Sequence, residues 1–204
     1  MNYSMSFSNI YEHYGVFDPE QQEVIDTVID KYVAKEGFEI DLCVSSGRSV
    51  VIAPFDQEFV IQIYFNNDLF IHINEMFIEG YFDTPATVDV IDIIPEYNAI
   101  IYESIKPINT PENINGLCYG DKSKINEYMS KEEKNKLYND MQENLDLITF
   151  EHGDCTIDNI GYSIKNDRYV LFDFDMSKRP KNIIRDWNTF TKSITFHGLD
   201  YKLD

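Results

Sequence analysis

The residues best suited to chemistry lie between positions 151 and 177. His152-Gly153-Asp154 is followed by Asn159, and Asp173-Phe174-Asp175 comes after a further apolar stretch. Phosphoryl transfer from ATP needs a carboxylate that accepts the acceptor's proton, and oxygen-bearing side chains that hold magnesium against the phosphates. Asp154 suits the first role, and Asn159 and Asp173 suit the second. Taken singly, each of these residues also fits a solvated turn, but together they favour a magnesium–nucleotide site.

Two β-prone stretches predict how these side chains are brought together. Residues 157–164 and 168–174 are strand-like, and Lys165-Asn166-Asp167 between them predicts a turn. A hairpin of this kind delivers the acidic residues to one end of one ribbon. A helix is predicted before it at 130–148, where Ser130 and Glu133 form a capping box.

The earlier part of the chain predicts a helix, several strands and a second helix. Asp18-Pro19 is typical of a helix start, and the apolar spacing predicts a helix over 19–35. Short strands are predicted at 40–44, 49–53 and 59–65 as an antiparallel meander, with a helix at 69–79. Two more strands are predicted at 87–94 and 98–103, followed by a linker over 106–124 that is rich in Pro and Gly. Near the C-terminus, Ile183, Ile184, Trp187 and Phe190 predict a helix that caps a core.

The stretch from His152 to Phe174 resembles sequence motifs of a known superfamily. His152 to Asn159 follows the pattern His-x-Asp-x-x-x-x-Asn, and Asp173-Phe174 resembles the metal-binding motif of protein kinases and aminoglycoside phosphotransferase-like enzymes. The chain is identified as a small and divergent member. The resemblance implies an α+β, two-lobed, protein-kinase-like fold with a reduced C-terminal lobe. It implies one domain made of a helical segment at 1–37, an N-lobe at 38–106 and a C-lobe at 107–204, with the nucleotide cleft between the lobes.

The same resemblance implies site residues and cofactors. ATP and Mg²⁺ are the expected cofactors, with Asp154 as the catalytic residue and Asn159 and Asp173 as metal ligands; His152 is expected to be structural. The residues expected to bind nucleotide are Gly47 in a reduced glycine-rich turn, Gln62 and Glu75 as a phosphate clamp, and Glu103 and Ile105 in the hinge. Glu75 also fits an exposed helix carboxylate, and Gly47 fits a simple hairpin turn.

One departure from the family pattern keeps two functions open. Gln62 stands where the family has a lysine, and an amide cannot offset phosphate charge, which commonly costs about two to three decades in rate. The first hypothesis is an ATP- and Mg-dependent phosphotransferase acting on a protein or a small molecule. The alternative is a pseudokinase, a nucleotide- and protein-binding module without phosphoryl transfer.

Composition narrows the possible partners and location. The 204 residues carry 36 acidic and 17 basic side chains, a formal net charge of -19, which disfavours direct nucleic acid binding. That acidity fits a solubility trait or a protein partner with a basic surface, and a third reading is an acidic decoy that acts through charge. Cys43, Cys118 and Cys155 lack metal-ligand spacing and are expected to be reduced thiols. No signal peptide or membrane span is recognised, so we expect a cytoplasmic protein.

Overall fold

The computed structural model describes residues 17–45, 48–55, 57–108, 129–196 and 199, with only the backbone for 41–45 and 107. Gly47 and Cys118 lie outside the described residues. The described residues fall into two compact units. Of the described residues, those up to Phe70 and Ile91–Tyr102 form the first unit, and Ile71–Val90 with those from Glu103 onward form the second.

The first unit begins with helix α1, Pro19–Ile29. The Asp18 carboxylate accepts from the Gln21 N–H at 2.9 Å, and the Gln21 side chain accepts from the Asp18 N–H in return. Such a reciprocal cap satisfies two amides that lack partners inside the helix. One turn of π-helix, Asp30–Ala34, continues α1 to the predicted end.

A five-stranded sheet packs beside α1. Its strands are β1 (Ile40–Ser45), β2 (Ser49–Pro54), β3 (Phe59–Tyr64), β4 (Val90–Ile94) and β5 (Ala99–Glu103), in the order β1-β2-β3-β5-β4. β1 with β2, and β2 with β3, are antiparallel, which confirms the predicted meander. The core of this unit joins apolar residues of α1 to those of the sheet: Ile25, Val28, Ile29, Val33, Val50, Ile52, Ile61, Ile63, Ile94 and Ala99.

Helix α2, Asn67–Ile78, follows β3, and from Ile71 onward it belongs to the second unit. The second unit also holds a three-stranded antiparallel sheet, β6 (Lys106–Pro107), β7 (Ile160–Ser163) and β8 (Arg168–Leu171). Residues 86–88 extend along the far side of β8, where the Val88 N–H donates to the Leu171 carbonyl at 2.9 Å.

Helices α3 (Lys131–Leu147) and α4 (Ile183–Phe196) complete the second unit. Ser130 caps α3 through the predicted capping box with Glu133. α3 packs on β8, where the Asn144 amide donates to the Tyr169 carbonyl at 2.7 Å. The ring of Tyr138 on α3 contacts Trp187 on α4, with centroids 5.2 Å apart.

The α+β prediction is confirmed, and the predicted order of elements is present along the described residues. Several details differ. The strand predicted at 87–94 begins only at Val90, and β6 lies within the predicted linker. Ile157–Asn159 is a 3₁₀ turn, so β7 starts only at Ile160, and β8 ends at Leu171 rather than at 174. Ile184 does not cap the core, since it is 75% exposed at the start of α4. Within the part of the chain that the structure describes, no helix has the length and apolar character that a bilayer crossing requires.

Candidate active site

The loop after α3 holds Asp154 and Asn159 together. The amide nitrogen of Asn159 donates to the Asp154 carbonyl at 2.9 Å and to Asp154 Oδ2 at 3.0 Å. The 3₁₀ turn Ile157–Asn159 makes this contact possible, because it folds the chain back within five residues. Since the amide nitrogen is committed to Asp154, a cation at this place would be held by the amide oxygen of Asn159.

The backbone before Asp154 is fixed from α4. The buried carboxylate of Asp186 accepts from the His152 N–H at 2.8 Å and from the Gly153 N–H at 2.9 Å. Burial raises the pKa of Asp186, and the two N–H donors oppose that rise. Gly153 has a φ of +84°, and a Cβ there would lie 2.3 Å from the Met176 carbonyl oxygen. This position therefore requires glycine both for its backbone conformation and for space.

His152 connects this loop to the strand that ends before Asp173. Its ring Nε2 lies 2.9 Å from the Phe172 carbonyl oxygen, so Nε2 carries the proton and donates. The Phe172 N–H donates in turn to the Asn159 carbonyl at 3.0 Å. Burial lowers the pKa of His152, which keeps the ring neutral. The expectation of a structural histidine agrees with these contacts, because its polar contact is to backbone.

Asp173 follows directly and has an unusual backbone. Its φ is +59°, a left-handed conformation that few residues other than glycine, asparagine and aspartate adopt. Its Oδ1 is buried without a hydrogen-bond partner among the described residues. Burial is the main cause that raises the pKa of Asp173; the nearby Asp154 adds to the rise, while His152 and the Asp175 N–H oppose it. The turn thus holds a carboxylate with one oxygen, Oδ1, that accepts no hydrogen bond from the described residues.

Asp154, Asn159 and Asp173 include oxygen ligands of the kind that magnesium prefers, but they are too few to enclose the ion. Mg²⁺ prefers oxygen ligands and commonly takes one or two carboxylates, completing its shell with waters and substrate phosphates. The unpartnered Oδ1 of Asp173 is such a ligand, and Asn159 offers an amide oxygen. No group of three or more His, Cys, Asp and Glu side chains among the described residues is arranged to hold a metal ion by itself. The set therefore suits a metal that arrives with phosphates.

Cys155 lies next to Asp154 but is unsuited to act as a nucleophile. The thiol is free and fully buried. Burial raises its pKa far above the ordinary range, and the Asp186 and Asp154 carboxylates raise it further. Because the thiolate is the reactive form, this thiol is inert.

The residues expected to bind nucleotide have varied surroundings. Gly47 lies outside the described residues. The Gln62 amide donates to Ser49 Oγ on the neighbouring strand at 3.0 Å, and Glu75 is exposed on α2. Glu103 is buried, and burial raises its pKa while the Ser163 hydroxyl, by hydrogen bonding, lowers it; its backbone N–H donates to the Asp89 carbonyl at 2.9 Å. The Ile105 side chain lies over Gly161, where a Cβ would come within 2.4 Å of its Cδ1.

Sequence reasoning did not identify Asp186. A signal existed, because Asp186, Phe190 and Ile194 recur at intervals of four and form the buried face of α4. An acid on an apolar helix face has to meet donors when it is buried, and here the donors are the backbone amides of His152 and Gly153.

Comparison with known proteins gives matches in structure alone. No family model matches the chain, and no curated protein matches it in sequence. A choline/ethanolamine kinase family protein from Mesorhizobium loti is similar with a TM-score of 0.47 and 12% identity, over 86% of this chain and 71% of that one. The choline kinase LicA from Streptococcus pneumoniae is similar with a TM-score of 0.41 and 10% identity, over 91% and 82% of the two chains. At these identities the similarity concerns the fold alone, so what the site can do has to follow from its own residues.

Proposed function

We propose that this chain is an ATP- and Mg²⁺-dependent phosphotransferase of the kinase-like fold. One observation carries the proposal: a hydrogen-bonded loop brings Asp154 to Asn159, and Asp173 leaves a buried carboxylate oxygen without a donor among the described residues. A protein retains an unsatisfied buried charge at a cost in stability, and a cation bound there would offset it.

Each side chain then has a distinct role. Bound magnesium would supply charge neutralisation on the transferring phosphoryl group. Asn159 and Asp173 would hold it through an amide and a carboxylate oxygen. Asp154, oriented by the Asn159 amide, would accept the proton of the acceptor's hydroxyl as the new O–P bond forms and the bond to the leaving diphosphate breaks. Gln62, Glu75, Glu103, Ile105 and Gly47 are the residues proposed to contact the nucleotide.

A pseudokinase is the second candidate, and Gln62 is the observation that favours it. Its side chain is neutral and already donates to Ser49 Oγ, so it offers a phosphate little electrostatic stabilisation. In this alternative the chain binds nucleotide and a protein partner without transfer. The partner would have a basic surface, because the net charge is -19. A cytoplasmic location is part of the proposal for both candidates, and the free thiol of Cys155 is compatible with it.

The first test measures the thermal unfolding midpoint with ATP, with and without magnesium, for the wild type and Asp173→Asn. Asparagine tolerates the left-handed backbone and keeps the shape, so it removes mainly the charge. Ligand at a hundred times its dissociation constant stabilises the folded state by about 2.7 kcal/mol. A magnesium-dependent rise that Asp173→Asn removes supports the site. The absence of any rise at millimolar ATP contradicts both nucleotide-binding candidates and leaves the acidic decoy.

A second test separates the enzyme from the pseudokinase. Phosphate release from ATP is followed in the wild type, Asp154→Ala and Gln62→Lys. The enzyme predicts release that Asp154→Ala abolishes while the magnesium–ATP stabilisation persists. The pseudokinase predicts no release above background in the wild type, and a gain in ATP affinity on Gln62→Lys. Equal release by the wild type and Asp154→Ala contradicts the role of Asp154.

A further inference from the structure

The segment that follows Asp173 is attached to helix α2 by a histidine. Nε2 of His72 lies 3.0 Å from the Ser177 carbonyl oxygen. Because a carbonyl oxygen only accepts, the ring nitrogen must carry the proton and donate. His72 is half-buried and Ser177 is 4% exposed, so water competes weakly for this bond. His72 takes no part in the chemistry proposed above, and it is distant from Asp173 in sequence.

Ser177 closes the turn after Asp173 and also carries the carbonyl that faces His72. The Ser177 N–H donates to the Phe174 carbonyl at 3.0 Å, which closes a tight turn directly after Asp173. Phe174 itself is buried against Phe82, with ring centroids 4.4 Å apart. The next residue, Lys178, exchanges two backbone hydrogen bonds with Glu151, of 2.9 and 2.8 Å. The Ser177 carbonyl takes no part in these contacts. It accepts a hydrogen bond from His72 on α2 instead.

A second contact, just beyond the C-terminal end of α2, also attaches this segment. Arg179 Nη1 lies 2.6 Å from Glu79 Oε2, and its guanidinium stacks 4.6 Å from the centre of the Tyr81 ring. Both side chains of that ion pair are partly exposed, so the pair alone contributes little. The bond from His72 is the better shielded of the two, and it lies closer in sequence to Asp173.

We propose that His72 is a positioning residue that holds the turn after Asp173 in the conformation that presents the Asp173 carboxylate. The effect on magnesium rests on the proposed function, while the attachment itself does not. If the turn opens, the backbone at Asp173 relaxes from its left-handed conformation, and the fraction of molecules ready to bind a cation falls. The apparent affinity for a cation falls by the same fraction.

The test compares His72→Gln with His72→Asn. The glutamine amide nitrogen reaches about as far as Nε2 of histidine, whereas asparagine carries the same amide one methylene short. Ile78→Ala is the control on the same helix, since Ile78 is 72% exposed. The first readout is hydrogen exchange of the Ser177 and Lys178 amides in the metal-free protein, with the Leu171 amide as internal reference. The second is the magnesium concentration that gives half of the thermal shift at saturating ATP.

We expect His72→Asn to speed exchange at Ser177 and Lys178 by about five-fold, the effect of one ordinary hydrogen bond, and to leave Leu171 unchanged. The half-saturating magnesium concentration should rise between about two- and five-fold. His72→Gln and Ile78→Ala should match the wild type in both readouts.

Three results would overturn the proposal. Unchanged exchange in His72→Asn would show that the bond does not hold the turn, and equal losses in the Gln and Asn variants would assign the effect to ring packing. Faster exchange with an unchanged magnesium requirement would show that opening the turn does not alter how the Asp173 carboxylate is presented to a cation. If the wild type shows no magnesium-dependent shift, the proposed function fails, and the exchange comparison still decides whether His72 holds the turn.

Discussion

Replacing Asp173 with asparagine should stabilise the metal-free protein while removing its response to magnesium. The Asp173 Oδ1 atom is buried with no donor among the described residues, and the Asp154 carboxylate raises the cost of its charge. An unsatisfied buried acceptor costs about 1 to 3 kcal/mol. Asparagine removes the charge, keeps an oxygen for the Asp175 N–H and tolerates a φ of +59°. We therefore expect the free energy of unfolding to rise by about 1 to 2 kcal/mol at pH 7.

The stability difference between Asp173→Asn and the wild type should depend on pH. Because the pKa of Asp173 is raised in the folded state, its ionised form destabilises the fold above that pKa. Below the ordinary value of about 3.9 the carboxyl is protonated in both the folded and unfolded states, and the penalty disappears. The advantage of Asp173→Asn should therefore shrink as the pH falls from 7 toward 4.

Urea unfolding in the presence of a chelator, repeated across that pH range, measures both effects. Saturating magnesium and ATP should reverse the order of stability, since only the wild type gains from them. A variant that is less stable than the wild type by 1 kcal/mol or more at pH 7 without metal would refute the reasoning. It would mean that the carboxylate is satisfied in the folded protein and is not held ready for a cation.

Three further predictions concern the loop that carries Asp154. Gly153→Ala should cost about 2 to 4 kcal/mol, because its Cβ would clash with the Met176 carbonyl, whereas Gly80→Ala, also at positive φ but with open space, should cost about 1 kcal/mol by thermal unfolding. Asp186→Ala should cost about 2 to 4 kcal/mol in urea, since two buried N–H groups lose their acceptor; a loss below 0.5 kcal/mol would contradict this. His152 is buried with a lowered pKa, so the unfolded chain binds its proton first as the pH falls from 7 to 5, and stability should drop by up to about 1.4 kcal/mol per pH unit. His152→Gln should show a flatter pH profile.

Local patterns predicted the secondary structure well because each depends on neighbouring residues. The capping box at Ser130 and the proline start at Pro19 gave helix beginnings to within a residue. The strand that was predicted from 157 begins only at Ile160, because the Asn159 side chain has to turn back onto Asp154. Apolar content alone could not reveal that constraint.

The sequence named the residues of the candidate site but not the contacts that hold them. The motif spacing identified Asp154, Asn159 and Asp173, since a short hairpin leaves few ways to bring them together. Asp186 was missed because its partners are backbone amides distant in sequence, and these leave no trace in residue type. His72 was missed for the same reason, since it donates to a carbonyl. Contacts to main chain become visible only once the fold is known.

The paired backbone bonds between Glu151 and Lys178 have a consequence for protein engineering. They bring the two ends of the segment 151–178 side by side, and Arg185 Nη1 lies 2.7 Å from Glu151 Oε1. The β7–β8 turn lies midway along that segment in sequence, and Ile164 in this turn is 63% exposed. A peptide tag inserted after Ile164 would leave the paired ends undisturbed, so this turn offers a permissive position for an insertion.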